Sequence, residues 1–484
     1  MFSRQQATTA QIEAHVLWTS ISREEAARLK AQVAGEVLLP GDDGYDAECF
    51  SFNLNLALAP TIVVRVANAS DVQAAVMFAA RRRMPVAVKA TGHNTVNAAH
   101  GALLISTRRM NQVTIDIENR TARIEPGVRW SEVIDQAAKY GLAPMNGSSP
   151  LVGAIGYTLG GGHSAAWSRS KGYAADHVVS LDVVTADGEL RHATAQREPE
   201  LFWALRGGQG NFGVVTAMVC DLFPQTRIYG GGVWFPIEHV PEVVPAWREW
   251  AETLPEEATT SIAVQRLPEL SDLPERLQGA SVLHLRFIHL GTAAEGEQLF
   301  APMRSIASTV LDTVGEMPYT SIGLVHMDPQ NPMPYSERTM SIRDLSDEAI
   351  DAFIALTGPQ SDCPLISVEI RQLGGAMDRQ PAVPNAVASR GVPYVLIAFG
   401  VSSSAEKDKF VRGYLDKLIR ELKPWAANRP VVNFVPPEEA VTPDELRDVY
   451  GAERYDVLAR VKKIYDPLNI FRMNHNIVPA SPMN

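Results

Sequence analysis

Gly153-Ala154-Ile155-Gly156-Tyr157-Thr158-Leu159-Gly160-Gly161-Gly162 places glycine at five of ten consecutive positions. Upstream, Lys89-Ala90-Thr91-Gly92-His93-Asn94 is a second loop of small residues, entered from the apolar run Pro85-Val86-Ala87-Val88. Glycine lacks a Cβ and accepts positive φ, so such loops let backbone N–H groups close on an anion, typically a phosphate. Glycines also permit close packing of elements. A Gly160-Gly161-Gly162 run, however, is costly in backbone entropy, which favours a ligand-binding role. Two such loops about sixty residues apart predict a bulky phosphorylated cofactor held from both sides.

A chain of 484 residues is expected to form two domains. With 46% hydrophobic and 20% charged residues, it reads as an ordinary soluble globular protein. The formal net charge of −11 argues against nucleic acid or an anionic membrane as partner, which leaves a small-molecule protein. Cys49, Cys220 and Cys363 are odd in number and far apart, so neither a disulfide framework nor a zinc site is expected. The N-terminus, Met1-Phe2-Ser3-Arg4-Gln5-Gln6-Ala7-Thr8-Thr9-Ala10, lacks an apolar signal-peptide core. No stretch is long enough to cross a bilayer, and a cytoplasmic location is expected.

Val72, Ala75, Val76 and Ala79 predict a helix ended by Arg81-Arg82-Arg83. Trp130, Val133, Ile134, Ala137 and Ala138 predict another, closed by Gly141 at C′. Residues 177–185 alternate as a strand, Asp187-Gly188 is a hairpin turn, and 189–193 form the return strand. Pro199 opens a helix to Leu205, and 214–223 is an apolar strand. Beyond Pro224 strands at 281–288, 365–373 and 394–399 alternate with amphipathic helices, including one at 407–425. That is the pattern of an antiparallel sheet carrying helices. A helix over 446–464 precedes an asparagine-rich end, which is expected to return to the first domain.

Gly208-Gln209-Gly210-Asn211-Phe212-Gly213 matches the dinucleotide fingerprint in letters only. The fingerprint needs strand, glycine turn, then helix; here a helix precedes the glycines and a strand follows, so the reading is rejected. A Walker lysine, a His-Glu-x-x-His pair and a Gly-x-Ser-x-Gly elbow are all missing, which removes the usual signatures of phosphoryl transfer and hydrolysis. His93 alone reads equally as an ordinary loop residue or a functional one.

Several motifs nevertheless fall in a recognisable order. They are Asp71-Val72 before a helix, Val88-Lys89-Ala90-Thr91-Gly92-His93-Asn94 after a strand, and Pro150-x-x-Gly153-x-x-Gly156-x-x-x-Gly160-Gly161-Gly162. Val184-Thr185-Ala186-Asp187-Gly188, Leu201-Phe202-Trp203 through Gly213-Val214-Val215-Thr216, and Tyr465-Asp466-Pro467-x-Asn469-x-Phe471 follow. Together they resemble the FAD-linked oxidases of the berberine-bridge-enzyme-like and hydroxynicotine-oxidase type, in the vanillyl-alcohol oxidase and p-cresol methylhydroxylase superfamily. The likeness runs from about residue 38 to 225 and from about 430 to 478, with a looser match at Val368-Glu369-Ile370-Arg371-x-Leu373-Gly374-Gly375.

The resemblance implies FAD bonded covalently through His93 to the 8α-methyl of the ring. It implies cofactor contacts from Lys89, Ala90, Thr91, Gly92, His93, Asn94, Ser149, Val152, Gly153, Gly156, Tyr157, Gly161, Gly162, Gly213, Val215, Asn474 and Asn476. Relatives with a second, cysteinyl link carry Gly-x-Cys-Pro, whereas this chain reads Gly147-Ser148-Ser149-Pro150. Serine forms no such thioether, so the linkage is expected through His93 only. Many relatives place a tyrosine base in Tyr-x-Asn-Tyr; here the motif is Val431-Val432-Asn433-Phe434, which leaves Asn433 and removes the base. The loop from Asn94 to His100 looks shorter than in relatives and lacks their glycine, which bears on oxygen reactivity. His163, directly after the triple glycine, has no reading from sequence.

Glu369 and Arg371, two apart on a strand, point to the same sheet face. They form either a polar site over the flavin or a solvated surface pair; Tyr335 and Tyr394 are weaker candidates for a base. The expectation is an α+β, two-domain FAD-binding fold. Residues 1–225 and 429–484 make the FAD domain, and 226–428 a substrate domain of antiparallel sheet covered by helices. The expected function is oxidation of a small organic molecule, a secondary metabolite by analogy, at a C–OH or C–N centre. Hydride passes to the flavin and O2 accepts the electrons as H2O2. The alternatives are a flavin dehydrogenase using another acceptor and a non-redox cyclase or binding protein that retains FAD.

Overall fold

A computed structural model describes residues 21–481; the N-terminal ten residues read above lie outside the described residues. The first sheet contains β1 (Glu36–Leu38), β2 (Ile62–Arg65), β3 (Val86–Lys89) and β4 (Leu103–Ser106), in the order β1-β2-β4-β3. β2 and β3 lie parallel to β4, because the helix Ala69–Arg82 crosses over between them. The Asn68 side chain caps that helix at the Asp71 N–H, and Arg83 ends it at φ 53. Val72, Ala75, Val76 and Ala79 are buried on its inner face, as their spacing predicts.

The second sheet is formed by β5 (Val113–Asp116), β6 (Thr121–Ile124), β8 (Val178–Val184), β9 (Leu190–Ala193) and β10 (Val214–Asp221), in the order β5-β6-β10-β8-β9. β7 (Leu142–Ala143) pairs separately with β11 (Phe223–Pro224). The predicted helix at Trp130–Ala138 is present, with Gly141 left-handed (φ 70) two residues past its last capping residue, Lys139, one step later than expected. The 208–213 glycines fall between the helix Pro199–Leu205 and β10, the order that excludes a dinucleotide fingerprint.

Two expectations are corrected. Residues 153–162 are not one open loop: Ala154–Leu159 is a short helix with Gly153 at its N-cap and Gly160 at its C-cap. Its glycine brackets read as a loop because the apolar residues between them, Ala154, Ile155 and Leu159, are too few to show a period. The helix expected at 446–464 is two helices, Pro443–Tyr450 and Ala452–Tyr465, broken where Gly451 takes φ 76.

The third sheet is antiparallel and contains β12 (Arg227–Pro236), β13 (Ala258–Arg266), β14 (Ser281–His289), β15 (Leu311–Asp312), β16 (Gly315–Pro318), β17 (Tyr335–Ile342), β18 (Ser367–Gln372) and β19 (Tyr394–Val401). Its order is β15-β12-β14-β13-β18-β19-β17, with β16 also on β12. One face carries Ile262, Val264, Leu283, Leu285, Val368, Ile370, Leu396 and Ala398 into an apolar core. Helices Val240–Glu252, Ala293–Arg304, Asp347–Thr357 and Ala405–Leu422 close that core with Trp247, Phe300, Phe353 and Leu415. Because side chains alternate along a strand, the intervening residues all project from the other face. That face is polar: Glu337 and Thr339 on β17, Glu369 and Arg371 on β18, Ser261 on β13, His284 and Arg286 on β14.

The C-terminal segment returns to the first two sheets. The Val86 N–H donates to the Ile470 carbonyl at 2.8 Å, and Ile470 and Phe471 are buried beside Val64, Val86 and Ile105. No helix among the described residues is long and apolar enough to cross a membrane.

Candidate active site

The glycine-rich turn is shaped around two side chains, Asn433 and Tyr157. Asn433 Oδ1 accepts from the Gly162 N–H at 2.9 Å, while its Nδ2 donates to the Tyr157 carbonyl at 2.9 Å. A Cβ on Gly160 would stand 2.6 Å from Asn433 Nδ2, and one on Gly162, at φ 76, would stand 2.6 Å from the Tyr157 ring. Glycine is therefore required here to seat an amide and a ring as well as to supply N–H groups. The Tyr157 ring also meets Trp130 edge-on at 5.6 Å.

The 89–94 loop lies against this turn. A Cβ on Gly153 would come within 3.2 Å of Thr91, and Asn94 Nδ2 reaches the Asn433 carbonyl at 3.4 Å. Lys89 turns away: its buried ammonium donates to the Glu48 carbonyl at 2.6 Å. Gly92 takes φ 73, its carbonyl accepts from the Phe52 N–H, and the Phe52 ring stands 4.9 Å from that of His93. Burial holds the His93 imidazole below its ordinary pKa, opposed by Asp328 and assisted by Arg129. It is neutral at pH 7, with a nitrogen lone pair available.

From the C-terminal segment, Asn474 Nδ2 donates to the Gly210 carbonyl at 3.1 Å, and Asn211 Nδ2 donates to the His475 carbonyl at 3.1 Å. The structure thus brings together Thr91–Asn94, Gly153–Gly162, Asn433 and Asn474. Ser149 is half-buried, and Val152 packs against the apolar core that the second sheet shares with helices Trp130–Ala138 and Pro199–Leu205. Gly213 and Val215 belong to that strand packing: a Cβ on Gly213 would meet the Val184 carbonyl at 2.5 Å, and Val215 is buried in the core.

The polar face of the third sheet meets the Gly147–Pro150 and 431–434 segments of this assembly. Arg371 Nη2 lies 3.4 Å from Ser148 Oγ, and its guanidinium carbon lies 5.6 Å from the Phe434 ring centroid. Glu369 receives Arg371 Nε at 2.8 Å and Nη2 at 3.1 Å, and Arg286 Nη1 stands 2.7 Å from its Oε1. All three are buried, which excludes the solvated surface pair that the sequence left open. Burial opposes ionisation of Glu369, yet the two guanidiniums hold its carboxyl down at about 2.

Sequence reasoning missed Arg286 and His326 and gave no role to His163, which it had noted after the triple glycine. With Ser261 and Arg371 they line a cavity between the sheet and the glycine turn, with room for about one or two waters. Burial lowers His163 to about 3, so it is neutral beside the guanidiniums. A signal for Arg286 was present: His284 and Arg286 occupy alternate positions in an otherwise apolar strand, as Glu369 and Arg371 do. His163 and His326 carry no such pattern.

Tyr157 Oη, His163 Nδ1, Asn474 Oδ1 and Asn476 Oδ1 are buried without hydrogen-bond partners. A Cβ on Gly156 would meet no atom within 4 Å, so the space beside that residue is open. Buried polar atoms without partners are costly; these four, on the glycine turn, the residue after it and the C-terminal segment, suit contact with a large polar group carrying a diphosphate. The residues present fit FAD.

Comparison with known proteins agrees. Residues 60–194 match the FAD binding domain family, and residues 432–478 the berberine and berberine-like family. Over 471 residues the chain is 27% identical to the (R)-6-hydroxynicotine oxidase of Paenarthrobacter nicotinovorans, covering 92% of this chain and 97% of that protein. The crystal structure of 6-hydroxy-D-nicotine oxidase from Arthrobacter nicotinovorans superposes with a TM-score of 0.81 at 25% identity, covering 93% of this chain and 98% of that one. The xylooligosaccharide oxidase of Myceliophthora thermophila, in complex with xylobiose, shares the fold with a TM-score of 0.80 at 22% identity, covering 95% and 99%.

Proposed function

We propose that this chain, an FAD-dependent oxidoreductase whose segments match the FAD binding domain and berberine-like families, is an oxidase of a small organic molecule at a C–OH or C–N centre. Bound FAD supplies two-electron, hydride-accepting chemistry, and O2 takes up the electrons as H2O2. The observation that carries the reading is the meeting of two surfaces. On one side is a glycine-lined turn with unpartnered Tyr157, Asn474 and Asn476 atoms; on the other is a sheet face carrying Arg371 and Glu369.

In this reading His93 is the tether. Its neutral imidazole offers a lone pair for a single covalent bond to the flavin, and serine at 148 and 149 leaves no thiol for a second. The loops at 89–94 and 153–162 present N–H groups to the diphosphate. Asn433 holds the turn in shape, and Tyr157, Asn474 and Asn476 hydrogen-bond the ring. Arg371, fixed by Glu369, orients the substrate by its charge.

Support comes from the hydroxynicotine and xylobiose named for the two oxidases above, one a C–N and one a C–OH compound. The test begins with acid precipitation. The native protein is expected to give a yellow pellet, and His93→Ala a colourless one; a yellow pellet from the variant refutes the tether. Anaerobic mixing with 6-hydroxynicotine, xylobiose and simple benzylic alcohols and amines then finds what bleaches the flavin. Readmitted air should restore the colour and release peroxide. Slow reoxidation identifies a dehydrogenase instead, the outcome favoured by the altered 94–100 loop.

A further inference from the structure

The polar face of the third sheet holds a second carboxylate that the site described so far does not use. Glu337 lies on β17, two strands from Glu369 across β19 and about 12 Å away by sheet geometry. The registers Glu369↔Ile397↔Thr339 and Glu337↔Phe399 put both carboxylates on the same face. Their surroundings differ completely. Glu369 is clamped by Arg286 and Arg371, whereas the Glu337 carboxylate makes no hydrogen bond or salt bridge among the described residues and feels the Arg338 guanidinium only through its field.

The neighbours of Glu337 along β17 are anchored to segments on both sides of the candidate site. Two residues before it, Tyr335 is bound on both backbone groups by the Asn53 side chain, at 3.0 and 3.3 Å; the adjacent Phe52 touches the His93 ring. Two residues after it, Thr339 Oγ1 donates to the Phe434 carbonyl at 2.8 Å. Glu337 is thus bracketed by the tethering loop on one side and the Asn433-Phe434 segment on the other. Its neighbours on this otherwise polar face are apolar and half-exposed: Phe399 lies directly opposite, Tyr335 meets Phe399 edge-on at 6.3 Å, and Ile397 is the next residue on that face of β19.

We infer that Glu337 accepts the O–H or N–H proton of the substrate, an alcohol or amine whose apolar body packs on Tyr335, Ile397 and Phe399. The inference rests on the oxidase reading above. The balance is complete: the proton goes to Glu337 Oε, and the C–H hydrogen leaves with its electron pair to the oxidised flavin. The substrate gains a C=O or C=N bond. Burial and the carboxylates of Glu438 and Glu439 push Glu337 up to about 7, against the Arg338 guanidinium; Tyr335 is its other titratable neighbour. A carboxylate at that value is half ionised near neutral pH and returns its proton readily. Glu369 cannot do this, because its lone pairs are committed to two cations.

The test uses the flavin-loaded protein, wild type against Glu337→Gln and Glu337→Asp. Infrared titration should show a carboxylic-acid band that vanishes as pH rises through about 7 and is missing from Glu337→Gln. An unchanged band in that variant overturns the proposal. The raised carboxyl also opposes folding above its own titration, so Glu337→Gln should raise Tm at pH 8 and leave it unchanged at pH 4. Anaerobic mixing with benzyl alcohol, N-methylbenzylamine and 6-hydroxynicotine gives the kinetic arm. Flavin reduction should be about 100-fold slower in Glu337→Gln and should lose its acid limb, while Glu337→Asp retains part of both. Equal rates in wild type and Glu337→Gln overturn the proposal alone. Failure of all three compounds to bleach the wild-type flavin overturns the oxidase reading for this substrate class, and the proposal with it.

Discussion

Arg286 Nη1 stands 2.7 Å from Glu369 Oε1 at a point in the sheet where both side chains are almost wholly buried. Arg371 approaches the same carboxylate from its own strand. One anion between two cations is stable in a low-dielectric interior only while the set is complete, since removing one member leaves charge uncompensated. Glu369→Gln is therefore expected to destabilise the protein by about 3–5 kcal/mol, measured by denaturant unfolding. The pH dependence has a definite sign. Glu369 titrates at about 2 in the folded chain against an ordinary 4.5, so its contribution is present above pH 4.5 and lost as pH falls towards 2. The variant should lack that loss in the acid stability profile.

Asn433 supports the glycine turn from the C-terminal segment through both ends of its amide. Asn433→Ala strands the Gly162 N–H and the Tyr157 carbonyl, at about 1–3 kcal/mol for each group left unsatisfied. Tm should fall, and a His93→Ala background should release FAD faster on dilution. Asn433→Asp still accepts from Gly162 but no longer donates to Tyr157, so its Tm should fall between wild type and alanine. A Tm for Asn433→Ala equal to wild type would contradict the seating role.

How much of this could be read from sequence depends on distance along the chain. The helix Ala69–Arg82 and the hairpin turn at Gly188 were legible because period and turn chemistry are local. Glu369 and Arg371 were legible as a same-face pair by strand alternation. Their burial was not, because it depends on Arg286, about eighty residues earlier, and on Ser148 and Phe434 from other elements. The triple glycine was read as a ligand loop. That it also seats Asn433, 271 positions later, is a tertiary fact with no local trace. Glu337 was invisible for the same reason. Its identity as one acidic residue on a strand is unremarkable until β19 and the 431–439 segment are placed around it.

The C-terminal return depends on one buried pair. Lys462 Nζ lies 2.7 Å from Asp466 Oδ2 with both side chains fully excluded from solvent. The same ammonium donates to the Asn211 and Phe471 carbonyls, and Asp466 accepts from the Ile470 and Phe471 N–H groups. The pair thus fixes the turn that delivers Asn474 and Asn476. Lys462→Met leaves a buried carboxylate without its cation and is expected to cost about 3–5 kcal/mol. Asp466→Asn should cost as much, because it leaves the buried ammonium without its counter-charge. In the double variant no buried charge remains unpaired, so its cost should be well below the sum of the singles, a coupling that a double-mutant cycle by denaturant unfolding measures directly. Additivity would mean that the two side chains act independently. Because the turn leads into the proposed ring contacts, each single variant should also bind FAD more weakly in a His93→Ala background, in proportion to its loss of stability.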